Sequence, residues 1–241
     1  MKAYRRELKY IVGKDTLLDT GNRISPLMKK DAHQIGDNYR IRSLYFDSPD
    51  LQCVRENAAG VSTREKYRVR IYNCDSSLLT AEIKIRHRDT ISKMSAVIDR
   101  ELFDVMVKGS PAQAAQALKK EASRRQTDTE KRVLEKYMIR FATRSYAPAC
   151  IVDYERCAYV YDIANVRITF DTNVTASREY DRMFDSFLTG RAAIDGNRHV
   201  LEIKYDEFLP DEIASLLGGQ SLSRSSCSKY ALCMERIGVF I

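Results

Sequence analysis

Histidine is scarce in this chain: His33, His87 and His199 are the three in 241 residues. Six cysteines, at 53, 74, 150, 157, 227 and 233, include no C-x-x-C pair. Together these shortages argue against a structural zinc site, which draws on paired cysteines and histidines. They also leave no serine or cysteine nucleophile with a histidine that spacing would position, so triad hydrolysis is a poor reading. Phosphate-cradling glycine motifs are missing. Gly13-Lys14-Asp15 lacks the upstream glycine and the Ser/Thr of a P-loop, and no G-x-G-x-x-G occurs. The protein-kinase signature set and H-E-x-x-H are absent too. No apolar run approaches the roughly 20 residues that span a bilayer. There is no internal repeat, low-complexity tract or long Gly/Ser/Pro linker, so one domain over 1–241 is expected, with a helical insertion at about 101–144. No signal peptide is recognisable, and the cysteines are expected to be free thiols in a reducing cytoplasm.

What is present is charge. The chain is 44% hydrophobic and 30% charged, an ordinary globular balance that argues against wholesale disorder. Its formal net charge is +7, with an isoelectric point near 9.0. An anionic partner follows: nucleic acid, anionic lipid or a phosphate-rich small molecule. The excess is spread along the chain rather than gathered in a tail, which weakens the case for a basic arm.

The charges fall at alternate positions of short β-like segments. Glu7 and Lys9 occur in RRELKYIV, Arg68 and Arg70 in REKYRVRIY, and Glu82, Lys84 and Arg86 in LTAEIKIRH. Tyr154 and Arg156, then Arg167, Thr169 and Asp171, then Glu202 and Lys204 repeat the pattern. Successive strand side chains point to opposite faces, so each segment has an ionic face and an apolar face (Leu8, Val69, Ile71, Ile83, Ile168, Phe170, Leu201, Ile203). One reading is a half-exposed sheet with its charges in water. The other closes the strands into a barrel with the ionic face inward, a cation-lined tunnel. Repeated E-x-K and R-x-R favour the second, because solvent faces of strands usually carry Thr, Ser and mixed Lys/Glu.

The coarse order is α+β. Strands are expected at 4–12, 39–46, 65–73, 79–87 and 92–100, and again at 149–161, 165–174 and 199–205. A helix is expected at 14–30, two or three within 101–142, a short one from Asp211 to Leu217 and a last one around Ser228–Ile237. A cation-lined tunnel suits phosphoryl transfer, which needs positioned cations and a metal rather than a protein nucleophile. Arginine gives bidentate phosphate contacts and lysine a compact point charge. Glu202 or Glu7 at the wall would supply oxygen ligands to Mg²⁺ or Mn²⁺. Inward cations repel by about 1–4 kcal/mol per close pair unless an anion lies between them.

Eight segments now occur in order: E-L-K-Y at 7–10, S-L-Y-F-D-S at 43–48, K-Y-R-V-R-I-Y at 66–72, E-I-K at 82–84, Y-E-R-x-A-Y at 154–159, V-R-I-T-F-D at 166–171, V-L-E-I-K at 200–204 and S-K-Y at 228–230. Over about 4–235 the ordered set resembles the VTC-type polyphosphate polymerase domain (vacuolar transporter chaperone family), a branch of the CYTH-like triphosphate tunnel metalloenzymes. The resemblance implies an antiparallel β-barrel tunnel in which the terminal phosphate of ATP passes to polyphosphate with a divalent metal, Mn²⁺ or Mg²⁺. It implies that Lys9, Arg68, Arg70, Lys84, Arg156 and Lys229 act on the phosphates. Lys93, Tyr154, Arg167, Lys204 and Ser228 would bind substrate, and Glu202 would hold the metal. It also implies work beside a membrane-protein partner from the cytoplasmic side, with no specific nucleic acid.

Two departures stand out. The first strand carries Arg5 where hydrolytic relatives have a further glutamate, and Ser226 replaces a family lysine. Blander readings sit beside the functional ones. Arg68 and Arg70 would form an outward ionic face, and Glu202 a salt bridge to a tunnel arginine. Asp171 is expected to orient Arg167 or end its strand, Tyr45 and Phe46 to fill a core edge, and Cys227 to act as a small apolar filler. Lys119, Lys120, Arg124 and Arg125 read as a solvated helix face. Triphosphate or nucleotide hydrolysis and non-catalytic polyphosphate or inositol-phosphate sensing remain the alternatives. RNA binding, suggested by 14 tyrosines and the charge, lacks an RNP-like motif.

Overall fold

Alternating charge and apolar residues do build strands here, and the strands join one sheet. The computed structural model describes residues 6–32, 34, 36–88, 90–218, 222–225 and 228–238. The expectations for Arg5, His33, Ser226 and Cys227 lie outside them. The chain opens with β1 (Arg6–Gly13), α1 (Lys14–Ile24), the short β2 (Lys29–Lys30), β3 (Tyr39–Asp47) and α2 (Gln52–Ala58). A meander of β4 (Thr63–Tyr72), β5 (Leu79–His87) and β6 (Thr90–Ile98) leads to α3 (Arg100–Lys108), α4 (Pro111–Ala122) and α5 (Asp128–Arg144). Then come β7 (Ala147–Tyr161), β8 (Val166–Ser177), the short β9 (Arg191–Ala192), β10 (Arg198–Tyr205), α6 (Asp211–Leu217) and α7 (Lys229–Arg236). The class is α+β, as the pattern implied.

The sheet runs β1-β10-β8-β7-β3-β4-β5-β6, with β2 beside β7 and β9 beside β8, and every ladder is antiparallel. The expected barrel is not closed: no ladder joins β1 to β6 among the described residues. The edge of β1 is covered instead by residues 222–225. Tyr10 bridges Arg224, and the Ser225 N–H donates to the Lys9 carbonyl at 2.8 Å. Curling still brings the two ends of the sheet together, since Lys84 of β5 reaches Glu7 of β1 at 3.3 Å.

Helices cover the outer face. The larger apolar cluster packs α3, α4, α5 and α7 on β3 to β7, with Leu44, Val69, Ile71 and Ile83 wholly buried against Leu134, Tyr137 and Phe141. A smaller cluster seats α1 and α6 on β1, β8 and β10 through Leu17, Ile24, Ile168, Leu201 and Ile213. Caps fix where the helices begin. Asp99, Ser110 and Thr127 each accept an N–H of the first turn, and Ser110 forms a capping box with Gln113 before Pro111. Helix α1 ends at Ile24 rather than near 30. Pro26 has no N–H for the Asn22 carbonyl, which accepts from Ser25 Oγ at 3.3 Å instead. Helix α2, seven residues after the Asp47-Ser48-Pro49-Asp50 turn, is too short for periodicity to reveal. No helix among the described residues is long and apolar enough to cross a membrane.

On the outer side of β3, Arg42 is wholly buried. It donates to the Met183 and Asp185 carbonyls at 2.9 and 2.7 Å and to Asp153 at 2.9 Å. Removing one member of such a cluster strands the others. Arg42→Met is expected to lower stability by about 3–5 kcal/mol in urea unfolding. A loss below about 1 kcal/mol would show that the cluster contributes little to the fold.

Candidate functional site

The inner face of the curled sheet lines a cavity with two lobes. The lobe near α7 has a volume of about 140 Å³ and the other about 330 Å³. Glu7, Arg68, Arg70, Lys84, Arg156 and Lys204 line both. The first lobe also takes Lys9, Tyr154, Glu202, Ser228 and Lys229; Lys93 and Arg167 line the second. All twelve residues singled out in the sequence therefore meet around one space. On β4, β5, β8 and β10 the inward positions are mostly ionic and the outward ones carry the core, whereas on β3 Ile41 and Tyr45 face the cavity and Arg42 the outer side. Ten Lys and Arg side chains face two carboxylates in the first lobe, so its surface is strongly positive.

Buried carboxylates hold these cations in place. Glu82 accepts from Arg68 at 2.6 Å and Lys93 at 2.8 Å, with Arg70 at 3.9 Å. Asp171 receives both arms of the Arg156 fork at 2.6 and 2.8 Å, and Lys229 at 2.5 Å. Glu7 and Glu202 share the lysines between them. Glu7 lies 3.2 Å from Lys9, 3.3 Å from Lys84 and 3.5 Å from Lys204. Glu202 contacts Lys204 directly and lies 3.9 Å from Lys229. Its Oε1 is buried, with the Lys204 ammonium against it, yet accepts no aligned hydrogen bond.

Aromatic rings fix the cations further. Tyr45 stacks on Tyr230 at 4.4 Å and accepts from Arg68 at 3.0 Å. The Tyr154 hydroxyl accepts from Arg70 at 3.3 Å, and its ring lies 5.4 Å from the Arg156 guanidinium and 5.1 Å from the Lys229 ammonium. Ser43 accepts from Arg70 Nε at 3.1 Å.

The electrostatics follow from these neighbours. Burial alone would raise the carboxyls of Glu82 and Glu202. Arg68, Arg70 and Lys93 hold Glu82 well below the ordinary range, and Lys204, Lys9 and Lys229 do the same for Glu202. Glu7, also buried, is lowered by Lys84. Burial and the nearby Lys9 push the Lys84 ammonium well down despite Glu7 and Glu202. Lys229 goes the other way: burial would lower it, but Asp171 and Glu202 raise it.

Several expectations change. Asp171 neither orients Arg167 nor ends β8; it lies inside that strand and anchors Arg156 and Lys229. Arg167 pairs with Asp31 at 2.8 Å and Tyr39 at 3.2 Å. Phe46 and Tyr45 are both buried as expected, and Tyr45, on the opposite face of the strand, also lines the cavity. Lys66 and Arg64, which share the parity of Arg68 and Arg70, also line the cavity. Glu82 was visible on the ionic face; its place as the partner of three cations needed the ladder β4–β5–β6.

A family profile described as VTC domain matches residues 4–237. No curated protein matches the chain. Among solved structures, a candidate adenylate cyclase from Bacillus halodurans superposes with a TM-score of 0.50 at 15% identity, covering 94% of each chain. The PH1819 protein from Pyrococcus horikoshii OT3 gives 0.46 at 14% identity, covering 96% of this chain and 99% of its own. The family match and the first of these structures support a triphosphate-tunnel fold.

Acid stability tests the carboxylate anchors. The folded-state value of Glu82 lies below its ordinary 4.5, so its contribution is present above pH 4.5 and is lost as pH falls below it. Thermal melts of the wild type are expected to drop steeply on that side, and Glu82→Gln should melt lower at pH 7 and show a flatter acid limb. An unchanged acid limb in Glu82→Gln would contradict the assignment.

Proposed function

The chain belongs to the VTC domain family, and from that premise we propose that it is a metal-dependent phosphotransferase moving the terminal phosphate of ATP onto a polyphosphate chain within this cavity. The observation that carries the reading is the set of inward cations held at fixed positions by buried carboxylates, an arrangement that leaves the cavity surface positive. Phosphoryl transfer is promoted chiefly by such pre-positioned charge. Arg68, Arg70 and Arg156 present guanidiniums already oriented by Glu82, Ser43, Tyr154 and Asp171, so little ordering remains when phosphate oxygens bind. Lys9, Lys84, Lys204 and Lys229 add compact charges held by Glu7, Glu202 and Asp171. Lys93 and Arg167 extend the positive wall into the second lobe.

The donors fit a hard divalent cation in a limited way. No group of three His, Cys, Asp or Glu side chains suited to a metal occurs among the described residues. Glu202, with its poorly satisfied buried oxygen, and the adjacent Glu7 are oxygen donors of the kind Mg²⁺ or Mn²⁺ takes when the substrate supplies the other ligands. When bound there, the ion would neutralise charge on the phosphate oxygens. Cytoplasmic location, a single domain over the chain and a membrane-protein partner belong to the same proposal.

The test is incubation with ATP and Mn²⁺ or Mg²⁺, following ADP, orthophosphate and long-chain polyphosphate together. ADP with polyphosphate is expected, with a loss of at least about 100-fold in Arg68→Ala/Arg70→Ala. Orthophosphate without chain growth would replace polymerisation by hydrolysis. Tight triphosphate binding without turnover would make the protein a sensor, and neither binding nor turnover would overturn the reading.

A further inference from the structure

The inward row of β4 continues beyond Arg68 to Lys66 and then Arg64. Their partners directly across on β5 are cations as well: Lys66 faces Lys84, and Arg64 faces Arg86. Deeper in, by contrast, Arg68 faces Glu82. Like charges directly opposite each other destabilise a ladder. Two consecutive inward rungs of this kind make sense where an anion lies across them. Among the described residues, Arg64, Lys66 and Arg86 form no ion pair with a carboxylate.

The Lys66 ammonium donates its hydrogen bonds to neutral groups. It donates to Asn57 Oδ1 at 2.9 Å and to Ser228 Oγ at 2.6 Å. Burial, with Lys9 and Arg64 close by, pushes it down to about 7. Ser228 accepts twice, from Lys66 and from the Ala231 N–H at 3.4 Å, which leaves its own hydroxyl proton for a further acceptor. The Asn57 amide nitrogen is a second neutral donor beside it. From Arg70 to Arg64 the strand spans about 20 Å. That is too long for a triphosphate, whose phosphorus atoms are separated by single bridging oxygens.

We infer that Arg64, Lys66 and Arg86, with Asn57 and Ser228, form a further phosphate subsite at the mouth beside α7, taking phosphates of a linear polyphosphate beyond the three held deeper in. The inference rests on the phosphotransferase reading above. It gives the cavity a direction: the polyphosphate chain lies along the β4–β5 rungs and leaves past Arg64 and Arg86, while the opposite mouth carries Tyr39, Tyr72 and Arg167.

The test is calorimetric binding of tripolyphosphate and of long-chain polyphosphate to the wild type, Lys66→Met, Lys66→Arg and Arg64→Gln/Arg86→Gln. The last of these alters side chains that are partly in solvent, so it serves even where Lys66→Met folds poorly. Lys66→Met and the double variant are expected to lose about tenfold for the long chain, or about 1.4 kcal/mol, and to stay within about twofold for tripolyphosphate, with Lys66→Arg close to wild type. Equal losses for both ligands would place these residues in the triphosphate set and overturn the subsite, as would no loss for either. Wild-type protein that binds neither ligand would overturn the phosphotransferase reading and the subsite together.

Discussion

Repulsion among inward-facing cations is the constraint that organises this molecule. A sheet whose concave face carries Lys and Arg on seven strands would splay unless something held the charges together. Three acidic centres do so from within. Glu82 ties β4 to β6, Asp171 ties β7 and β8 to α7, and Glu7 with Glu202 ties β1, β5 and β10. Each serves more than one cation, so the carboxylates are outnumbered and the cavity keeps a positive surface. Buried ion pairs add little net stability by themselves. Their value here is positional, fixing guanidinium planes and ammonium groups before any ligand arrives.

The rest of the fold supplies what the inner face cannot. Apolar burial lies on the outer side, where α5 packs on β5 and β6, α3 on β7 and α4 over α3 and α5, with α1 and α6 on β1, β8 and β10. Tyr137 links the two layers, its hydroxyl lying 2.7 Å from the Arg68 carbonyl and 3.1 Å from that of Glu82. Helix α5 is thus anchored to the backbone of β4 and β5, leaving the inward side chains to the cavity. At the open edge, residues 222–225 cover β1 and carry the chain on to Ser228 and Lys229. An uncovered β1 edge would have been a site for pairing with another chain.

Much of this was legible in the sequence because β-structure has a period of two. Once Arg68 and Arg70 were set inward, Val69 and Ile71 had to face the core, and they are wholly buried. The ordered segments added residues far apart in the chain, such as Lys9, Glu202 and Lys229. Pairing was not legible. Asp171 shares a strand with Arg167 but bonds Arg156 on the neighbouring strand, and only the register of β7 with β8, where Arg156 lies opposite Asp171, decides that. Lys66 was missed although its parity was plain, since a single lysine among many looks like a solvated charge until Asn57 and Ser228 close around it. The open sheet likewise depended on a competitor for the β1 edge that no strand pattern announces.

The central claim is that the cavity is a prepared polyanion site whose cations are relieved by a bound phosphate chain. Thermal melting of ligand-free protein against increasing tripolyphosphate tests it most directly. A ligand that binds only the folded state adds about 2.7 kcal/mol at a hundred times its Kd, so the melting temperature should climb with the logarithm of concentration. Sodium chloride at the same ionic strength should not reproduce the rise, and Arg68→Ala/Arg70→Ala should lose most of it. A flat response, or one matched by simple salt, would contradict the account.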